Sequence, residues 1–386
     1  MVYFDNSATT KMSPAALDKM NRVAEELWGN PSSLHGMGLS AEKVLSEARS
    51  RILTTLGVSR PVPGQLIFTA GGTEANNLAI FGTLRAKNRA GKPRVILTEG
   101  EHSSVEECAR ALEAEGCEVV RIPTREGVLD MGALTAALTP NVALVSLMLV
   151  NNETGALYNV KEAFALTKRL CPRAVTHCDA VQGYMKVKFT PAQLGADLLT
   201  VSAHKIGGPK GVGALYVDPA VHRAKNLVPV TLGGGQEGNY RSGTENVYGI
   251  AAFGEAARER HLHLAADLAH MAALRDRLEA GLASLTGVAV NAPAGGRAPH
   301  ILNLRAEGIR SETMLHYLSA EGFYVSSGSA CSSNGGGVSR ALTAFGLPRE
   351  QADSSLRVSF CPQNTEAEVD AFLAALAGGL KRLQKR

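Results

Sequence analysis

The chain has 386 residues, of which 45% are hydrophobic and 20% charged. Its 40 basic and 36 acidic side chains leave a net charge of +4, too balanced to imply a nucleic-acid or membrane-surface partner. No apolar run reaches membrane-spanning length, and the N-terminus "MVYFDNSATTKMSP" has neither a basic nor an apolar leader region, so a cytoplasmic protein is expected.

In chain order, "KMSPAAL" offers Ser13 as a helix cap and Pro14 as the first helical residue. "QLIFTA" (65–70) reads as a strand, followed by a helix from about Glu74 to Ala90. "RVILTE", "CEVVRIP", "VALVSLMLV", "AVTHCDA", "LLTVSA" and "GALYVD" are further short β-rich runs. Helical segments separate most of them, as near 105–115 and 160–170. Near-continuous apolar strands alternating with helices predict a largely parallel sheet covered on both faces, an α/β fold. A long helical pattern from about Val247 to Leu285 suits a connector between domains. The rest reads as an α+β layer: strands "VAVNAP" and "ILNLRA", a helix over 312–320 capped by Ser311, strand "YVSSG", strand "SLRVSF" and a last helix over 366–383.

Six cysteines are present, at 108, 117, 171, 178, 331 and 361. None forms a C-x-x-C pair and no His/Cys cluster has zinc spacing, so reduced thiols and no metal are expected. Cys331 stands apart in "SSGSACSSNGGG" (326–337), among residues too small to pack on. The consecutive glycines Gly335 to Gly337 predict a mobile loop there, although a rigid glycine turn is the alternative. Cys361, in "FCPQNT", suits a packed strand cysteine, with a second thiol near a site as the sharper alternative. The basic end "LKRLQKR" suits a solvated helix terminus or, alternatively, a docking surface.

Several motifs follow apolar strands, where open α/β sheets bind ligands. "TAGGTEANN" is a strand, a glycine turn and a helix start, and Gly72 and Thr73 could cradle a phosphate. A plain strand-to-helix turn explains it as well. In "EGEHSSV", His102 could stack on an aromatic ring and exchange protons, or be an ordinary hydrogen-bonded histidine. In "VNNETG", Asn152 could bond a ring hydroxyl or a substrate carboxylate, or serve turn chemistry. In "THCDAVQG", Asp179 could pair with a cationic ring nitrogen and Gln182 bond a ring oxygen, or Asp179 could cap a helix. In "TVSAHKIGGPKG", Lys205 sits at a strand end between small and polar neighbours, a context for a Schiff-base lysine rather than a surface charge. Together these are the parts of a pyridoxal phosphate site.

The set resembles the cysteine desulfurases of the NifS/IscS type, in the class V aminotransferase group. The likeness runs nearly end to end through "YFDNSATT", "GNPSSLH", "TAGGTEANN", "EHSSV", "VNNETG", "DAVQ", "SAHKIGGPKGVGALYV", "GGGQEGNYRSGTEN", "GSACSS" and "LRVSF". The resemblance implies the fold type I of pyridoxal phosphate enzymes. A large domain (15–260) would hold a mainly parallel seven-stranded sheet, and 1–14 with 261–386 would form a smaller α+β domain carrying the cysteine loop. It implies that Lys205 forms the Schiff base and that Asp179 keeps the pyridine nitrogen protonated. His102 would stack on the ring and take the substrate thiol proton. Gln182 and Asn152 would bond the ring's polar edge, and Gly72, Thr73, Ser202 and His204 the phosphate. Thr244, in "RSGT", would reach the phosphate of a neighbouring subunit, which implies a homodimer. Arg357 would bind the carboxylate of L-cysteine, a task suited to a guanidinium fork. Cys331 would accept the sulfur as a persulfide and deliver it to a sulfur acceptor or iron–sulfur scaffold protein, for cluster assembly or tRNA thiolation. The site type also admits a selenocysteine lyase or a class V aminotransferase, though an aminotransferase needs no loop thiol. A non-catalytic scaffold would not need Lys205, His102 and Asp179 together. This chain departs from the family pattern in its "GGG" run and in Cys361.

Overall fold

A computed structural model describes residues 1–86, 92–327 and 338–384. Its centre is a seven-stranded mixed sheet. The strands are β1 (Leu66–Thr69), β2 (Arg94–Thr98), β3 (Glu118–Ile122), β4 (Val142–Met148), β5 (Val175–Asp179), β6 (Leu198–Ser202) and β7 (Gly213–Val217). Their spatial order is β1-β7-β6-β5-β4-β2-β3. β7 runs antiparallel to both neighbours, and every other pair is parallel. All residues of β4, β5 and β6 are buried, which is why these strands read as unbroken apolar runs.

Helices α1 (Pro14–Glu26), α2 (Gly36–Thr55), α3 (Gly72–Leu84), α4 (Ser103–Ala114) and α5 (Val160–Leu170) accompany this sheet. Ser13 caps α1 by accepting from the amide of Ala16, with Pro14 as first helical residue, as the sequence predicts. α3 ends at Leu84, short of its expected end at Ala90; residues 87–91 lie outside the described chain.

The 36-residue helix α6 (Val247–Leu282) joins two apolar cores. Its first turns bury Ile250, Phe253 and Ala256 in the core of the large sheet. Its last turns bury Met271, Leu274, Leu278 and Leu282 in a second core with Phe4, Leu356 and Phe372. That second core lies on an antiparallel sheet of β8 (Val288–Val290), β9 (Ile301–Ala306), β10 (Ser326–Ser327) and β11 (Ser355–Ser359), in the order β8-β9-β11-β10. Helices α7 (Ser311–Ala320), α8 (Arg340–Phe345) and α9 (Glu366–Leu383) lie in the C-terminal part of the chain. α9 starts with a capping box between Thr365 and Glu368. The expected Ser311 cap is corrected: Arg310 holds the cap position, and Ser311 is the first helical residue, with its buried Oγ lacking a hydrogen-bond partner among the described residues. No helix among the described residues is long and apolar enough to cross a membrane.

Gly254 lies where α6 crosses α2. A β-carbon there would fall 2.8 Å from Ala48 Cα, closer than packed atoms approach. Gly254→Ala should therefore lower stability by roughly 1–3 kcal/mol through overpacking, against the gain that helix propensity alone gives alanine. Thermal denaturation checks this; a raised melting temperature would contradict the close crossing.

Candidate active site

The C-terminal ends of β1, β2, β4, β5 and β6 open on one edge of the large sheet, and a cavity of about 470 Å³ lies there. Nine residues expected from the sequence line it: Gly72, Thr73, His102, Asn152, Asp179, Gln182, Ser202, His204 and Lys205. Arg357, from the second sheet, lines it too. Thr244 is exposed and outside this lining. Cys331, with Gly335 to Gly337 and the expected loop mobility, lies outside the described residues.

Asp179 ends β5 and is 6% exposed. Its Oδ2 accepts from Asn76 Nδ2 at 2.9 Å and its Oδ1 from the Val181 amide at 3.0 Å. The helix-cap alternative for Asp179 therefore gives way to a carboxylate aimed by Asn76 from α3. Asn76 also donates to Ser104 Oγ, at 2.8 Å, which ties Asp179 to the start of α4. His102 caps α4: its Nδ1 accepts from the Ser104 amide at 3.2 Å. Burial lowers its pKa, assisted by Lys205 and Arg340 and opposed by Asp179. The imidazole is thus neutral at pH 7, the form that can accept a proton.

Lys205 follows β6 in a short 3₁₀ turn. Its Nζ donates to the carbonyls of Ser7 at 2.5 Å and Ala8 at 2.8 Å. Gln182 Nε2 donates to the same Ser7 carbonyl at 2.8 Å. His204 Nδ1 lies 3.2 Å from Thr9 Oγ1, and burial, with the charge of Lys205, pushes its pKa down to about 4. Arg357, only 5% exposed, donates from Nη1 to the Asn152 carbonyl at 2.8 Å and from Nη2 to Asp5 Oδ1 at 2.7 Å.

Some polar groups here are poised for a ligand. Ser202 Oγ, Ser7 Oγ, Asn76 Oδ1 and Arg357 Nε are buried without a hydrogen-bond partner among the described residues. At the first residue of α3, a β-carbon on Gly72 would fall 2.9 Å from Val181 Cγ2, so only glycine leaves that helix start open. The helix-start amides and Ser202 Oγ then present donors to one end of the cavity, as an anion requires.

Sequence reasoning missed Asp5, Ser7, Asn76, Ser104 and Glu101. The signal for Asn76 is its place one turn into α3, four residues after Gly72 of the glycine turn. Asp5 and Ser7 stand in "FDNSATT", which has no strand-end context of its own. Glu101 is buried below Asp179; burial and the Asp179 charge raise its pKa to about 8, against hydrogen bonds from Thr98 and the Met148 amide. Cys361 borders a small void shared with Lys205 and Lys186, so its place is behind the lysine. The five described cysteines are free thiols, and burial raises the pKa of each. None of the five favours the reactive thiolate at pH 7.

A lysine, a strand-end aspartate and an open helix start that line one cavity at the edge of a seven-stranded α/β sheet suit a class of cofactor-dependent enzyme. The Aminotransferase class-V family matches residues 2–372, and the chain belongs to it. A NifS/IcsS protein homolog of Lactobacillus delbrueckii subsp. bulgaricus is 40% identical over 381 residues, 97% of this chain and 96% of the relative. A cysteine desulfurase of Trichormus azollae is 37% identical over 387 residues, covering 100% of this chain and 94% of the relative. A solved NifS-like protein superposes with a TM-score of 0.91 at 34% identity, covering 100% of both chains.

Glu101 gives the site a pH signature. Its pKa is raised from the usual carboxylate range to about 8 in the folded chain, so its stability contribution is complete below the unfolded pKa and is lost as pH rises through 8. Glu101→Gln mimics the protonated acid. Denaturant titrations should show the variant and the parent nearly equal at pH 4, with the variant ahead by on the order of a few kcal/mol at pH 8. A difference that does not change with pH would mean that Glu101 is ionised throughout.

Proposed function

We propose that the protein is a pyridoxal phosphate-dependent cysteine desulfurase that converts L-cysteine to L-alanine and loads the sulfur on Cys331. One observation carries this reading: Lys205, His102, Asp179, Gln182 and Arg357 line a single cavity. A class V site needs an amine, a ring-nitrogen partner, a stacking imidazole and a carboxylate clamp. Lys205, Asp179, His102 and Arg357 meet these needs in turn.

The donor set fits pyridoxal phosphate. Ser202 Oγ is a buried hydroxyl with no partner among the described residues, and Gly72, Thr73 and His204 adjoin it in the lining. These groups would hold the phosphate. Asp179, oriented by Asn76 and the Val181 amide, would hold the ring nitrogen protonated. Gln182 and Asn152 would bond the polar edge, and Lys205 would anchor the group through its amine. When bound, the cofactor withdraws electrons from the substrate's α-carbon.

The remaining steps belong to this chain's own residues. Arg357 binds the substrate carboxylate, pre-aimed by Asp5 and the Asn152 carbonyl. His102, neutral at pH 7, takes the substrate thiol proton. The Cys331 thiolate attacks the substrate sulfur, and the bond between that sulfur and the substrate β-carbon breaks with its electron pair moving to carbon. Cys331 is left as a persulfide, and protonation of the β-carbon completes alanine. A sulfur acceptor or iron–sulfur scaffold protein would then receive the sulfur, for cluster assembly or tRNA thiolation.

We read the chain as a large domain, 15–260, and a small one from 1–14 and 261–386; the two apolar cores joined by α6 support this division. We also read it as a homodimer in which Thr244 completes the neighbour's phosphate site. Exposed Trp28, Leu34, Leu39 and Leu232 support a protein-covered surface. The free described cysteines support a reducing, cytoplasmic setting.

Cys331→Ala should cut alanine and sulfide production from L-cysteine by at least ~100-fold. The visible cofactor band of the purified variant should stay intact. Undiminished alanine production by this variant would refute the role of Cys331, and keto-acid turnover in its place would favour an aminotransferase. Arg357→Lys should raise KM for L-cysteine by roughly 10-fold or more, because an ammonium cannot reproduce the two-pronged contact. Steady-state kinetics read this directly; an unchanged KM would remove Arg357 from carboxylate binding.

A further inference from the structure

Lys186 is the least expected group behind the cavity. Its side chain is 6% exposed. Its Nζ donates to Gln182 Oε1 at 3.3 Å. It makes no ion pair to a carboxylate among the described residues. Instead it faces Lys205 from the turn after β6, Arg260 from α6, and Arg357 and Cys361 from β11 and the segment after it. His204 and His300, both pushed towards the neutral form by burial, bring no anion to it. The void it shares with Lys205, Arg260 and Cys361 is about 10 Å³, room for roughly one water. An ammonium in such a place would be desolvated and repelled by three cations. The backbone just before it is strained: Met185, a buried non-glycine residue, has φ +57°.

Gln182 is held at both ends of its amide. Lys186 donates to Oε1, and Nε2 donates one hydrogen to the Ser7 carbonyl. The second Nε2 hydrogen is the one left for an acceptor in the cavity. We propose that Lys186 is a positioning residue: a buried amine that donates to Gln182 Oε1 and, with the Ser7 carbonyl on Nε2, fixes the amide so that its nitrogen, not its oxygen, serves the cofactor pocket. This rests on the reading of the pocket as a pyridoxal phosphate site. Burial and the neighbouring cations, which hold the Lys186 amine well below the usual lysine pKa, agree with the uncharged form.

The test uses the visible absorbance of the purified holoenzyme, titrated with pH. The parent protein comes first: absence of a visible band there would sink the cofactor reading itself, separately from this inference. In Lys186→Met the pocket loses a donor that steadies Gln182, the ring oxygen becomes a better proton acceptor, and the band's titration midpoint should rise by about 0.5 unit or more. In a Gln182→Leu background the same change should add nothing, because Lys186 acts through that amide. Lys186→Gln, which keeps a donor, should return the midpoint towards the parent value. An unmoved midpoint in Lys186→Met, or shifts that add fully with Gln182→Leu, would overturn the proposal. Stability supplies a second, activity-free readout. A lysine neutral when folded and protonated when unfolded makes the fold more stable as pH rises. The parent should therefore gain on Lys186→Met between pH 7 and 9, and a constant difference would overturn the uncharged amine. Should Lys186→Met fail to fold, Lys186→Gln replaces it in the stability readout: the parent should gain on it between pH 7 and 9, and a constant difference would overturn the proposal.

Discussion

The carbonyl of Ser7 is the joint on which the site depends. Lys205 and Gln182 both donate to it, so one oxygen in the N-terminal segment sets the position of two pocket side chains. The segment itself is held from both sides. The Ser7 amide donates to Ser359 Oγ and Asn6 Nδ2 to the Ser359 carbonyl, on the strand that also carries Arg357. The Thr10 and Ser13 amides donate to the carbonyls of His204 and Gly207, on the turn that carries Lys205. Residues 5–13 thus link the small sheet to the large one across the cavity. Placing Arg357 opposite Lys205 follows from this link and from the shared helix α6.

Charge in the site is arranged by burial. Glu101, buried below Asp179, has its pKa raised by that burial and by the Asp179 charge. His102 and His204 are both pushed towards their neutral forms, one beside the aspartate and one beside the lysine cluster. The same desolvation keeps the five described thiols protonated. A thiolate-dependent step therefore requires a cysteine outside those packed positions. Cys331, among small residues, is the one the sequence supplies.

Much of this architecture was legible in the sequence because its strands are buried on both faces. "VALVSLMLV" and "LLTVSA" have no alternation to misread, and the second residue after each run, Asn152 and Lys205, falls at the edge where ligands bind. Asp179, Asn152 and Lys205, singled out from strand ends, line the cavity at that edge. Asn76 was not, because a helix residue that points back at a strand end shares no local pattern with its partner 103 residues away. Asp5 and Ser7 were missed for a similar reason: their partners, Arg357 and Lys205, lie 352 and 198 residues off. Ser311 was misjudged as a cap because serine before an apolar run is the usual signal, while the chain starts the helix one residue earlier in register. Cys361 was left between packing and proximity, and it lies beside the void behind Lys205, partly exposed.

The central claim is that sulfur leaves L-cysteine and lodges on Cys331. Intact-protein and peptide mass spectrometry after one equivalent of L-cysteine, with no acceptor present, tests it most directly. The account predicts one added sulfur atom on the peptide containing Cys331 and one alanine released per site. Alanine released with no sulfur on that peptide, or with the sulfur on another cysteine, would contradict it.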